Sequence, residues 1–269
     1  MLIDTRRREV HPMRDLFINT LVYKKQLDAR VIRQSDLFSE VRKLGAAGIE
    51  VRREYFYENG KPIDLEASGN QALKTGLKVF YSVPEKLFVR GQVTRKLEQF
   101  FKEGEILKAR NIKLNVGEPN EIDDDEIQKI QGLMDLYHIH LTVENDQTRE
   151  NGRLVFISEV LSTFRNLGTS AGFTFDVGNW LWQGEDPLRA AQKTGNYATV
   201  FHLKDVSPVG GLHTVLLDQG DVDWKSALAA CSKEIPIVIE YPINGRITIE
   251  GELRKVKNVL IKTWEGVKS

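Results

Sequence analysis

Eight times along the chain a short run rich in Val, Ile, Leu, Phe and Tyr is followed by a stretch whose apolar residues recur at helical spacing. This alternation constrains the fold more than any other feature. The β-like runs are 16–23, 48–56, 77–83, 112–117, 140–146, 172–177, 199–205 and 235–241. Between them, Leu37, Val41 and Leu44 form one helical stripe, with Ser35 or Asp36 as a candidate cap and Gly45 and Gly48 near its stop. Ile127, Ile130, Met134 and Tyr137 form another, behind Asp123, Asp124 and Asp125, acidic residues suited to the electropositive start of a helix. Pro187 fits a first helical turn. Further helices are expected over 221–231 and 248–264, and a weaker one over 64–75, where Gly69 interrupts the pattern.

Strands alternating with helices imply parallel strands joined by crossovers. Eight units in 269 residues, about 34 residues each, predict a closed (β/α)8 TIM barrel, an α/β fold occupying residues 1–269 as a single domain. An open doubly wound sheet would more often carry a glycine-rich turn after its first strand, and Tyr23-Lys24-Lys25-Gln26 stands there instead.

Charge narrows the partners. Thirty-eight basic and 38 acidic residues cancel, leaving no global field to draw in nucleic acid or an anionic membrane. No apolar run reaches the ~20 residues that span a bilayer, and basic residues 6–8 have no apolar segment behind them to make a secretory signal. The single cysteine, Cys231, rules out an intramolecular disulfide and fits a reducing compartment. The expected setting is cytoplasmic, without membrane or nucleic-acid partners.

In such a barrel, chemistry collects at the C-terminal ends of the strands, and period-two alternation sorts inward from outward residues. Thr142, Glu144 and Asp146 share the inward face of the fifth run, opposite Leu141 and Val143. Thr174 and Asp176 lie opposite Phe173 and Phe175; Val200, His202 and Lys204 opposite Phe201 and Leu203; Val238 and Glu240 opposite Ile237, Ile239 and Tyr241. Four consecutive strands therefore bring Glu144, Asp176, His202 and Glu240 inward, late on the strand, where an unpartnered ionisable group would be costly. Three carboxylates and an imidazole suit one divalent cation, Mn2+ or Mg2+ ahead of Zn2+ or Co2+.

The runs Val143-Glu144-Asn145, Phe175-Asp176-Val177-Gly178-Asn179, Phe201-His202-Leu203-Lys204-Asp205 and Ile239-Glu240-Tyr241-Pro242 resemble the xylose isomerase-like TIM-barrel superfamily. Together with Gly48-Ile49-Glu50-Val51-Arg52 they are most similar to its sugar phosphate isomerase/epimerase branch. The resemblance implies that Glu144, Asp176, His202 and Glu240 bind one metal and that Glu144 and Glu240 also move protons. The implied reaction is isomerisation or epimerisation of a ketose or aldose through an enediolate. Many members carry histidine three residues after the aspartate; here Asn179 stands there, able to hydrogen-bond a substrate hydroxyl but not to carry a proton.

Asn179 and Lys204 are candidates for substrate oxygens. Arg52 is a candidate for a substrate anion or for pairing with Glu50 and Glu54. Glu118, Trp180 and His213 are further substrate-binding candidates, the alternatives being charge pairing for Glu118, packing against neighbouring loops for Trp180 and an exposed loop position for His213; Arg246 is a candidate anion contact. His138 and His140 are expected low on the fifth strand, and Cys231 in packing. A dehydratase or other lyase acting on a cyclic polyol or keto acid would use the same ligands, as would a sugar-binding relative without turnover. The superfamily's DNA-repair branch needs more histidines than the five present. Relatives often assemble as homodimers or homotetramers.

Overall fold

The structure, a computed structural model, describes residues 14–265, with side chains to residue 261. The basic run 6–8 lies outside the described residues. Eight parallel strands close into a barrel: β1 Leu16–Asn19, β2 Gly48–Arg52, β3 Lys78–Val89, β4 Ala109–Gly117, β5 His140–Glu144, β6 Gly172–Asp176, β7 Ala198–Leu203 and β8 Ile237–Ile239. Each pairs with its sequence neighbour, and β1 pairs with β8 to complete the ring. The helices that follow them are α1 Gln34–Lys43, α2 Leu65–Thr75, α3 Leu97–Leu107, α4 Asp124–Tyr137, α5 Leu154–Asn166, α6 Pro187–Thr194, α7 Trp224–Ala230 and α8 Arg246–Glu265. The expected (β/α)8 architecture is the one found.

Local chemistry sets the element ends. The first two expected strands run too long: β1 stops at Asn19, whose side chain accepts the Leu21 N–H and starts a 3-10 turn over Thr20–Tyr23, and β2 gives way to a 3-10 turn over Arg53–Phe56. β3 outruns the barrel instead. Its register to β4 shifts between Ser82 and Lys86, around Pro84, which has no N–H to give a ladder, and it then folds into a hairpin with Gln92–Val93. Neither Ser35 nor Asp36 caps α1 from outside. Both lie within it, and the Asp36 carboxylate accepts the Arg33 N–H at 2.9 Å. Asp123, Asp186 and Asp223 accept N–H bonds at the starts of α4, α6 and α7.

Two cores result. The large one lies between barrel and helices and takes the outward residues of the strands, Leu141, Val143, Phe173, Phe175, Phe201, Leu203, Ile237 and Ile239 among them. The small one fills the barrel floor with Phe17, Phe80, Val200 and Val238, the two rings stacked at 4.1 Å. Above that floor the interior turns polar, through Asn111, Thr142 and Thr174 bonded in series.

Gly69 is intrinsic to the fold, although helix propensity alone argues against it in mid-helix. A Cβ there would lie 2.1 Å from the Ile106 carbonyl oxygen, so α2 and α3 touch backbone to backbone. Gly69→Ala is therefore expected to destabilise by about 1–3 kcal/mol, where propensity alone would give a gain of about 1 kcal/mol. The urea unfolding midpoint of the variant reads the sign directly.

Candidate metal centre

The four residues singled out by strand register meet above the polar layer. Each offers a ligand atom, and these atoms lie within 4.8 Å of one another, all from buried residues. His202 is the hub. Its Nε2 lies 3.1 Å from Glu50 Oε2, while Nδ1 faces Glu144 Oε1 at 2.9 Å and Glu240 Oε2 at 3.2 Å. Glu50 is fixed in turn by Asn19, whose amide donates to Glu50 Oε1 at 2.5 Å and to Glu240 Oε1 at 3.3 Å. A carboxylate on the far nitrogen of a histidine orients the ring and directs the near nitrogen's lone pair inward.

Asp176 is set by backbone geometry. Its Oδ1 accepts the N–H groups of Gly178 and Asn179, both at 3.0 Å. The Asn145 amide clasps the Asp176 main chain, donating to its carbonyl and accepting its N–H at 2.9 Å each. Only Oδ2 is left to face the centre.

Three cations enclose the quartet. Lys113 Nζ donates to Glu144 Oε2 at 2.6 Å and lies 3.5 Å from Glu240 Oε1. Arg52 bonds Glu54 at 2.6 Å and Glu240 Oε1 at 3.1 Å. Lys204 Nζ stands 2.7 Å from Asp176 Oδ2 and 3.0 Å from Glu240 Oε2. Both glutamates are thus divided, one oxygen toward His202 Nδ1 and the other toward Lys113 or Arg52.

These contacts separate the carboxyls electrostatically. Burial opposes charge on Glu240, but Lys204, Lys113 and His202 outweigh it and hold the group well below the usual carboxylate range. Glu144 is lowered in the same way: burial works against the charge and Lys113 prevails. At Asp176 burial wins over Lys204, and the carboxyl is pushed up to about 7. Burial would depress the His202 imidazole, yet Glu50 and Glu240 lift it well above its ordinary value.

The donor set fits a metal. Glu144 Oε1, Asp176 Oδ2 and His202 Nδ1 are buried without any aligned hydrogen-bond partner, although each lies close to other polar atoms. Groups of this kind are normally satisfied. Three orphaned atoms of one quartet converging on one point are what a cation with oxygen and nitrogen ligands would satisfy. The residues that could hold one ion are Glu144, Asp176, His202 and Glu240.

The other candidates divide. Asn179 and Lys204 lie beside the quartet: the Asn179 amide donates to the Asn145 carbonyl at 2.9 Å and accepts from Gln147 at 3.1 Å. Arg52 belongs to the cluster through Glu240. Trp180 does not line it; the 3-10 turn over Asn179–Gln183 carries the indole into the outer core against Phe175, fully buried. Glu118 is exposed at the rim and paired with Lys86. His213 is exposed on the Asp205–Ser207/His213–Val215 hairpin, with Nδ1 2.8 Å from the Gly211 carbonyl oxygen. Arg246 pairs with Glu40 and Glu250. His138 caps α4, His140 opens β5 exposed, and Cys231 is buried in the outer core, its thiol pushed up to about 12 by burial.

Lys113, Asn19 and Asn145 were missed by the sequence reading as site residues, and Glu50 entered it within the second-strand run and as a partner of Arg52, not as a support of His202. Alternation does carry a signal for two of them: Lys113 lies between the outward Ile112 and Leu114, and Asn19 two residues after the inward Phe17.

No protein-family model matches the chain, and no curated protein matches it. Solved structures do. The probable 3-DHS dehydratase AsbF of Bacillus anthracis is 16% identical, with 90% of this chain and 98% of that one covered at a TM-score of 0.67. D-psicose 3-epimerase is 13% identical, with 91% and 99% covered at 0.67. A xylose isomerase domain-containing protein of Salmonella typhimurium is 17% identical, with 93% and 98% covered at 0.65. The fold is that of the xylose isomerase-like TIM barrels. No helix among the described residues is long and apolar enough to cross a membrane.

Proposed function

We propose that this xylose isomerase-like barrel is a divalent-metal-dependent isomerase or epimerase of a ketose or aldose. The observation that carries the reading is the convergence of orphaned Glu144 Oε1, Asp176 Oδ2 and His202 Nδ1 on one point beside Glu240. The same fold holds zinc in the IolI protein, 14% identical at a TM-score of 0.68, and D-psicose 3-epimerase was solved in the presence of D-fructose. Those similarities support a metal and a small sugar; manganese remains the favoured ion because three of the four donors are carboxylate oxygens.

The bound ion would supply Lewis-acid stabilisation of negative charge developing on substrate oxygens. The chain's own residues do the rest. Glu144 ends β5 and Glu240 directly follows β8, three strands apart on the ring, so they would approach a substrate from different sides. Lys113 and Arg52 favour ionised outer oxygens, so either glutamate is ready to take a proton from carbon; the opposite glutamate returns one only after it has itself been protonated from solvent, and the first then releases its proton to complete the cycle. Asn179, in the turn after β6, and Lys204, directly after β7, would meet substrate hydroxyls. Asp176 holds its position through two backbone N–H groups and moves no proton.

Glu50 acts through His202. Glu50→Gln is expected to weaken Mn2+ binding about 10–100-fold while the barrel stays folded, read by calorimetric titration with circular dichroism as the control. Unchanged affinity would remove Glu50 from the support of the ion.

Dehydration of a polyol or keto acid is the second reading, favoured by a likeness to AsbF equal to that to the epimerase. Incubation of the Mn2+-loaded protein with a ketose panel and with 3-DHS separates the two: sugar interconversion supports the first, and a product gaining near-ultraviolet absorbance supports the second.

A further inference from the structure

Lys204 stands where a cation would. Its ammonium lies 2.7 Å from Asp176 Oδ2 and 3.0 Å from Glu240 Oε2, the oxygens that two of the four candidate ligands turn toward the centre. The position is built rather than incidental. The side chain is buried, and its stem runs over Gly178, where a Cβ would lie 2.3 Å from Lys204 Cγ and 3.0 Å from Cδ. The ammonium also comes within 3.5 Å of Asn179 Oδ1. Yet its approach to Asp176 Oδ2 leaves that oxygen without an aligned hydrogen bond, so the contact is an ion pair only.

We propose that Lys204 is an internal competitor of the metal: ammonium and divalent cation share Asp176 Oδ2 and Glu240 Oε2, and the ion binds only by displacing the ammonium from them. The inference rests on the metal reading above. Like charges a few ångströms apart in a buried site repel strongly, so the lysine sets a ceiling on metal affinity. It also keeps the carboxylates compensated when the ion leaves, because Lys113, Lys204 and Arg52 all remain among them. The site is therefore one of exchangeable metal, loaded according to supply. Displacement has a second consequence: the released ammonium stays tethered beside Asn179, where it can meet a substrate oxygen, so loading the ion frees a substrate-binding group.

The test is titration of the metal-free full chain with Mn2+ by calorimetry, at one pH and ionic strength, for wild type, Lys204→Met, Lys204→Gln and Lys204→Arg. Deleting the charge should tighten binding at least about tenfold in both neutral variants. Arginine, keeping the charge, should leave affinity at or below that of wild type. Melting with and without Mn2+ shows that each variant is folded, and the neutral variants should gain more in melting temperature from the ion than wild type does. Equal or weaker binding in folded Met and Gln variants, with wild type binding normally, overturns the competition and leaves the metal centre intact. Absence of Mn2+ binding in wild type and all variants overturns the metal centre itself, and the competition with it.

Discussion

Replacing Glu240 by glutamine is expected to lower turnover of the sugar substrate proposed above by at least about 10^3-fold, with the loss in kcat rather than in KM alone. Two roles fail together. The amide cannot exchange a proton with carbon, and the oxygen facing His202 Nδ1 loses its charge. Glu144→Gln should be crippled to a similar degree, from the opposite side of the centre. On the proposed mechanism both groups act in one proton-transfer unit, so the double variant should be little worse than either single one. Removing one member of a buried ion-pair cluster also costs stability, by about 3–5 kcal/mol when it leaves charges unpaired. At Glu240 these are Lys204, Lys113 and Arg52. Circular dichroism and a melting curve therefore accompany the rates. Retention of full activity by a folded Glu240→Gln protein would take that residue out of the chemistry.

The second large effect separates the two oxygens of Asp176. Oδ1 ties the turn after β6 through the N–H groups of Gly178 and Asn179, and Oδ2 faces the centre. Asp176→Asn keeps an oxygen for the turn and removes the charge. We expect it to fold and to bind Mn2+ at least about 100-fold more weakly, since the proposed ligand oxygen and the charge opposing Lys204 go together. Asp176→Ala removes both oxygens. It should lose metal binding and also about 3–5 kcal/mol of stability, from the freed turn and the partly uncompensated Lys204. Metal titrations and urea midpoints of the pair give a two-by-two outcome: equal stability of the two variants would contradict the turn role, and wild-type affinity in Asp176→Asn would contradict the ligand role.

How far the sequence reaches is clearest on the strands. Period two and the apolar flanks were enough to turn Glu144, Asp176, His202 and Glu240 inward, because a strand buried on both faces tolerates an ionisable residue only with a partner. Those same rules apply to Lys113, but its partners are not on its own strand: Glu144 lies on the neighbouring β5, and Glu240, after β8, comes within reach only once the barrel closes. Of the two pairings open to Arg52 on its own strand, only that with Glu54 forms: Arg52 bonds Glu54 and Glu240, leaving Glu50 to His202 and Asn19. Beyond the strands, alternation no longer applies. After Asp176 a 3-10 turn carries Trp180 back into the outer core against Phe175, and after β7 a hairpin carries His213 out to solvent. Each had two readings from sequence, a place at the pocket or, for Trp180, packing against neighbouring loops and, for His213, an exposed loop; neither side chain lies at the pocket, Trp180 being packed and His213 exposed. The course of a loop is set by side-chain bonds such as those of Asn145, Gln147 and Asp205, which no local periodicity reports.

Crystals grown with Mn2+ and measured at the manganese absorption edge examine the core of this account most directly. A single anomalous peak is expected inside the barrel, bonded by Glu144, Asp176, His202 Nδ1 and Glu240, with Glu50 still on His202 Nε2. An empty centre at saturating Mn2+, with Lys204 still bridging Asp176 and Glu240 and the manganese elsewhere or absent, would mean that the cluster is an ion-pair network and not a metal site.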